Sequence, residues 1–125
     1  MTTIPIVFAF DNRLTKPAAV AIFSLLKSAH KDTFYDIFIL HSEKESLDKD
    51  VIAKVSDRYA NNRITYRTVG DIFDTAFEIR GITTPAYYRL LIPRIIPEYN
   101  KVIYSDADII FRQDLSEVYS TELGN

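Results

Sequence analysis

Residues 4–12 read IPIVFAFDN. An unbroken apolar run, Ile4–Phe10, stops abruptly at Asp11-Asn12. A run this short, closed by a polar pair, is the pattern of a strand covered on both faces, as in parallel α/β sheets. The residues that follow keep to that scheme. Lys16–Ala29 carries apolar residues at Ala18, Ala19, Ile22, Leu25 and Leu26, a helical spacing, and Thr15 with Pro17 suits a helix start. Phe34–Leu40 is rich in β-formers and reads as a second strand. Leu47, Val51, Val55 and Tyr59 recur every four residues, predicting a second amphipathic helix. Arg63–Val69 reads as a third strand.

Residues 70–83 offer at most one or two helical turns, around Ile72-Phe73 and Ala76-Phe77, before Gly81 breaks the pattern. Thr84-Pro85 then opens a helix that Pro93 or Pro97 stops. Lys101–Tyr104 reads as a fourth strand and Ile109–Phe111 as β-like. Asp114 and Glu117 have the spacing of a capping box for a last helix at Leu115–Tyr119. The order predicts an α/β fold: a Rossmann-like, mostly parallel sheet with helices on both faces. No repeat or linker divides residues 1–125, which read as a single domain. Ligands of such sheets bind beyond the carboxyl ends of the strands. Asp11-Asn12 and Asp106–Asp108 fall there.

Bulk composition narrows the functional classes. The chain has 125 residues, 47% hydrophobic and 26% charged, with a net charge of −2 and a sequence pI of about 5.6. There is no global basic field to bind nucleic acid. The absence of cysteine excludes disulfides, thiol catalysis and cysteine-rich zinc sites. No apolar run is long enough to be a transmembrane segment, and no basic residue precedes the first run as in a secretory signal. The expected location is cytoplasmic, with peripheral attachment to a membrane left open.

Residues 102–110 read VIYSDADII. Asp-x-Asp alone is weak, since a chain with 11 aspartates yields about one by chance. Asp48-Lys49-Asp50 is the internal control. It lies among polar residues at a helix start, where acidic side chains are favoured anyway. Asp106 and Asp108 instead interrupt an apolar, strand-like segment. Buried carboxylates must be paired or coordinate something, and alternate residues of an extended chain face the same side. Their oxygens suit hard divalent cations such as Mg²⁺ and Mn²⁺. Solvation at a strand end, or neutralisation by Arg112, is the competing expectation. A haloacid-dehalogenase-like phosphatase also uses Asp-x-Asp, but normally on the first strand and with Thr or Val after the second aspartate, where Ile109 stands here.

The stretch Thr84–Leu123 goes further. Tyr87-Tyr88-Arg89-Leu90, Lys101-Val102-Ile103-Tyr104, Asp106–Asp108, Asp114-Leu115 and Tyr119 together resemble glycosyltransferase family 8. The opening Ile6–Asn12, and the following helix with Ser24 near its middle, resemble it too. The resemblance implies a GT-A type fold and retaining transfer of a hexose from a UDP-sugar to a saccharide or glycolipid acceptor. It implies that Asp106 and Asp108 hold Mn²⁺, or Mg²⁺, on the donor diphosphate. Asp106 would also reach the ribose, and Ala107 would touch it through its backbone. Asp11 would accept a hydrogen bond from uracil, with Ala9 and Asn12 beside it. Arg89 would approach the donor sugar or diphosphate as the catalytic cation. Without the resemblance, Asp11 could simply cap a strand or turn, Arg89 could form a surface ion pair, and the tyrosines would be packing residues. Neither His30 nor His41 is expected to be a ligand.

The sequence departs from the family pattern in three places. Arg13 and Leu14 stand where an aromatic often stacks on uracil, Ser105 replaces a leucine, and Asn100 an aspartate. The family's catalytic domain is also about twice as long, and its second half supplies a metal-binding histidine and most of the acceptor pocket. The expectation is therefore a donor-binding N-terminal half, cut short after Asp-x-Asp, inactive alone and open to self-association through the uncovered surface. The rival expectation is a complete, non-catalytic module that pairs with another chain.

Overall fold

The computed structural model describes residues 1–42, 46–69 and 92–121. Four parallel strands form one sheet in the order β3-β2-β1-β4: β1 (Thr2–Ala9), β2 (Thr33–Ser42), β3 (Asn62–Val69) and β4 (Ile103–Ser105). Among the described residues the helices are α1 (Thr15–Lys27), α2 (Lys49–Ser56), α3 (Ile92–Ile95) and α4 (Ser116–Ser120). The expected α/β architecture is present.

The unbroken apolar character of β1 follows from its central place. Its side chains alternate between two cores. Ile4, Ile6, Phe8 and Phe10 enter one core with Tyr35, Ile37 and Ile39 of β2, under α1 and Ile52 of α2. Val7 and Ala9 enter the other with Phe38 and Leu40, covered by Ile92 and Ile96. The apolar positions expected of α1 are all buried, as is Leu47; Val51, Val55 and Tyr59 pack partly buried against the same core.

Several boundaries differ from the sequence reading. β4 is displaced toward Ser105, which is buried and pairs with Phe8. Residues 109–111 are not a strand: Ile109 and Ile110 are exposed, and the chain leaves the sheet to run along α1. A short apolar run has no periodicity long enough to decide between strand and covering loop. α1 starts at Thr15, but a 3-10 turn at Asn12–Leu14 precedes it and takes the capping. At α4 the expected capping box does not form: the N-cap is Leu115, without a side-chain cap bond. Asp114 Oδ2 accepts from the Ser116 N–H at 2.9 Å, and no Glu117 side-chain bond answers it among the described residues. The turns expected in 70–83 and the helix start at Thr84-Pro85 lie outside the described residues. No helix among those described is long and apolar enough to cross a membrane.

Candidate functional site

Strand order locates the site. From β1 the chain builds outward to β2 and β3 on one side, then returns to place β4 on the other. The carboxyl ends of β1 and β4 therefore flank the point where the order reverses, the general ligand position in open α/β sheets. The last β1–β4 pair is Phe8 with Ser105. β1 ends one residue later at Ala9 and β4 ends at Ser105, so Asp11-Asn12 and Asp106–Asp108 leave the sheet from adjacent strand ends.

Asp106 and Asp108 are both exposed, whereas Ala107 between them is only 5% exposed and packs into the α1-side core. This corrects the premise of buried carboxylates. The strand ends at Ser105, and the pair lies on a turn beyond it. The alternation survives in another form, with the alanine as anchor and the carboxylates outward. Ser105 Oγ donates to the Asp106 carbonyl at 2.9 Å, bracing the turn's first residue. Arg112 ion-pairs with neither aspartate among the described residues. With Ala107's side chain buried, its backbone is what it can offer a ligand.

Asp11 does two things. Its Oδ1 accepts from the Arg13 N–H at 3.0 Å, capping the 3-10 turn, and its carboxylate grips the Arg13 guanidinium, with Nη2 at 2.6 Å from Oδ2. The hydrogen bonds from the Arg13 side chain, against the opposing effect of partial burial, hold its carboxyl below the ordinary carboxylate value. Arg13 is 88% exposed at its side chain, so the pair is screened. Asn12 Oδ1 accepts from Thr15 Oγ1 at 3.1 Å and from the Asp48 N–H at 2.9 Å, tying the loop after β1 to α1 and the start of α2. Ala9 is buried in the opposite core. Arg89, Tyr87 and Tyr88 lie outside the described residues. Asp48 and Asp50 flank and enter the first turn of α2, exposed, as the bland reading expects.

A metal ion fits this arrangement in part. Two outward carboxylates on one turn suit a hard cation that keeps several waters and shares its shell with phosphate oxygens. Among the described residues no group of three or more His, Cys, Asp or Glu side chains could hold a metal by itself.

Sequence reasoning missed the polar residues that brace the site from behind. Asp36, in the middle of β2, is 1% exposed and accepts from Arg63 (2.7 and 3.1 Å) and from the Tyr99 hydroxyl (2.7 Å). Burial, reinforced by that bond to Asp36, pushes the Tyr99 hydroxyl up to about 12. Arg67 pairs with Glu98 and donates to the Ile95 carbonyl at 2.7 Å. These contacts fasten residues 95–99, which lead into β4, onto the sheet. The signal was visible: Asp36 is a lone acid within FYDIFIL at 34–40.

Comparison with known proteins names the fold. Its solved neighbours are GT-A glycosyltransferases. The bifunctional glycosyltransferase WbbM, in its apo structure, matches with a TM-score of 0.78 at 25% identity, over 98% of this chain and 22% of that one. The galactosyltransferase LgtC, in complex with donor and acceptor sugar analogs, matches with a TM-score of 0.75 at 28% identity, over 97% and 44%. A putative glycosyltransferase of Haemophilus influenzae is 26% identical across 98% of this chain and 37% of its own length. The description Glycosyl transferase family 8 matches residues 5–125, and the chain belongs to that family. It spans less than half the length of each of these relatives.

Proposed function

We propose that this chain is the nucleotide-sugar-binding part of a retaining hexosyltransferase that uses a UDP-sugar and Mn²⁺ or Mg²⁺ to glycosylate a saccharide or glycolipid. The observation that carries the reading is the outward pair Asp106 and Asp108 on the turn beyond β4, next to the end of β1. Family membership supports transferase chemistry, and LgtC, described with donor and acceptor sugar analogs, supports both substrate classes. The phosphatase alternative expects its aspartates on the first strand; here they follow the fourth.

In this reading Asp106 and Asp108 hold the cation against the donor diphosphate. Bound there, the cation supplies Lewis acidity that offsets charge on the leaving diphosphate. Ala107 presents its backbone to the ribose. Asp11 accepts the uracil N–H in competition with Arg13, whose N–H groups make four contacts with the same two oxygens. Asn12 frames the loop through Thr15 and Asp48, and Ala9 keeps the strand end close-packed. Arg89 adds a fixed positive charge at the diphosphate.

The test is the thermal midpoint with UDP, with Mn²⁺, and with both. A ligand specific for the folded state stabilises it by mass action. The expected result is a rise of about 3 °C or more with both together at saturating concentrations, and little with either alone. ADP should not substitute. Asp106→Asn and Asp108→Asn should abolish the rise while leaving the ligand-free midpoint close to the parent's, because both side chains are exposed. A parent protein that shows no shift under any of these conditions refutes the reading.

A further inference from the structure

The acidic turn hangs between two anchors. Upstream, β4 is paired to β1 as far as Ser105 with Phe8. Downstream, α1 holds both backbone groups of Phe111. The Phe111 N–H donates to Ser24 Oγ at 2.8 Å, and the Phe111 carbonyl accepts from Ser28 Oγ at 3.2 Å. Ser24 Oγ also donates to the Ala21 carbonyl at 2.7 Å. A hydroxyl has one proton, so that bond turns a lone pair toward Phe111. Ser24 and Ser28 stand one helical turn apart on the same face. Serine is a weaker helix former than alanine, and a mid-helix hydroxyl bonded back to its own helix slightly weakens that helix. Ser24 therefore works against α1 and in favour of the segment beside it, while Ser28, the C-cap of α1, gives its hydroxyl to the same segment. Between the anchors Ala107 is sunk in a core that α1 helps to form, and Asp106 and Asp108 point outward.

We propose that Ser24 and Ser28 are positioning residues: by fixing the backbone of Phe111 they hold the 106–110 turn in the shape that lets both aspartates engage one divalent cation on a nucleoside diphosphate. This rests on the function proposed above. The serines touch neither ligand; they act through Phe111.

The experiment compares Ser24→Ala, Ser28→Ala and Ser24→Thr with the parent chain. As a control, Ser56→Ala removes a hydroxyl that α2 uses to bond Asn62, at the opposite end of the sheet. Two readouts are taken: hydrogen exchange of the Phe111 amide without ligand, and calorimetric affinity for UDP in the presence of Mn²⁺. Ser24→Ala should strip protection from the Phe111 amide and weaken Mn²⁺-dependent UDP binding roughly tenfold, the usual range for supports of metal-binding side chains. Ser28→Ala should weaken it less, its bond being the longer. Ser24→Thr, which keeps the hydroxyl, should restore most of the affinity. Ser56→Ala should lower stability and leave affinity unchanged. Parent-like affinity in Ser24→Ala with Phe111 protection lost overturns the inference alone, as does an equal loss in Ser56→Ala. A parent chain that binds no UDP with Mn²⁺ overturns the functional reading, and the inference falls with it.

Discussion

Asp36 and Asp106 share a sequence setting and meet opposite fates. Asp106 interrupts an apolar run and is exposed; Asp36 interrupts another and is sealed in. Strand length decides. β2 continues to Ser42, so Asp36 sits mid-sheet, whereas β4 ends at Ser105. A sealed carboxylate persists only with partners, and Arg63 and Tyr99 provide them. Asp36→Ala returns the largely exposed Arg63 to water but strands the Tyr99 hydroxyl and leaves a gap. The expected loss is about 2–4 kcal/mol by denaturant unfolding. Tyr99→Phe should cost about 1 kcal/mol, since it removes one of three bonds to the carboxylate. Equal losses in the two variants would assign the effect to the tyrosine alone.

Among elements, those with sustained periodicity or unbroken apolar character were legible: β1, α1, β2, α2 and β3 stand within a few residues of where sequence places them. What failed was decided by long-range contacts. Residues 109–111 look like strand, yet Phe111 is claimed by two serines of α1. Asp114 looks like a helix cap, yet it is also a buried junction. Its Oδ1 accepts from the His30 N–H at 3.0 Å and lies 3.5 Å from the Tyr35 hydroxyl, and its Oδ2 takes the Ser116 N–H. No local pattern announces partners more than 70 positions away. The candidate site was readable to the extent that Asp-x-Asp and the Asp11 loop follow strands; their supports were not. Burial alone would raise the Asp114 carboxyl, but hydrogen bonds from Ser116, His30 and Thr33 outweigh it and hold the group well below the ordinary carboxylate range. A depressed folded-state value contributes stability fully present above the unfolded value, near pH 4, and lost as pH falls through the folded one. Acid titration should therefore show stability falling below about pH 4. Asp114→Asn should be less stable at neutral pH and show a shallower acid limb, followed by circular dichroism. A parallel acid limb would mean that other carboxylates carry the dependence.

At the scale of the whole molecule, the order β3-β2-β1-β4 puts the loop after β1 and the acidic turn side by side at the carboxyl end of the sheet. The same order divides the molecule by chain distance. Ile6 meets Ile37 of β2 from nearby in the chain, but meets Ile103 of β4 from across most of it. Closing a long loop costs more entropy, and non-local pairing slows folding. The three-strand unit β1-α1-β2-α2-β3 should consequently assemble first, and the segment bearing Asp106 and Asp108 should dock onto a surface already made. Ile37→Val, in the early unit, should slow refolding. Leu115→Ala, in the late one, should leave refolding nearly unchanged and accelerate unfolding, as stopped-flow kinetics would record. Among the described residues, the acidic turn would then belong to the last part to form and the first to let go.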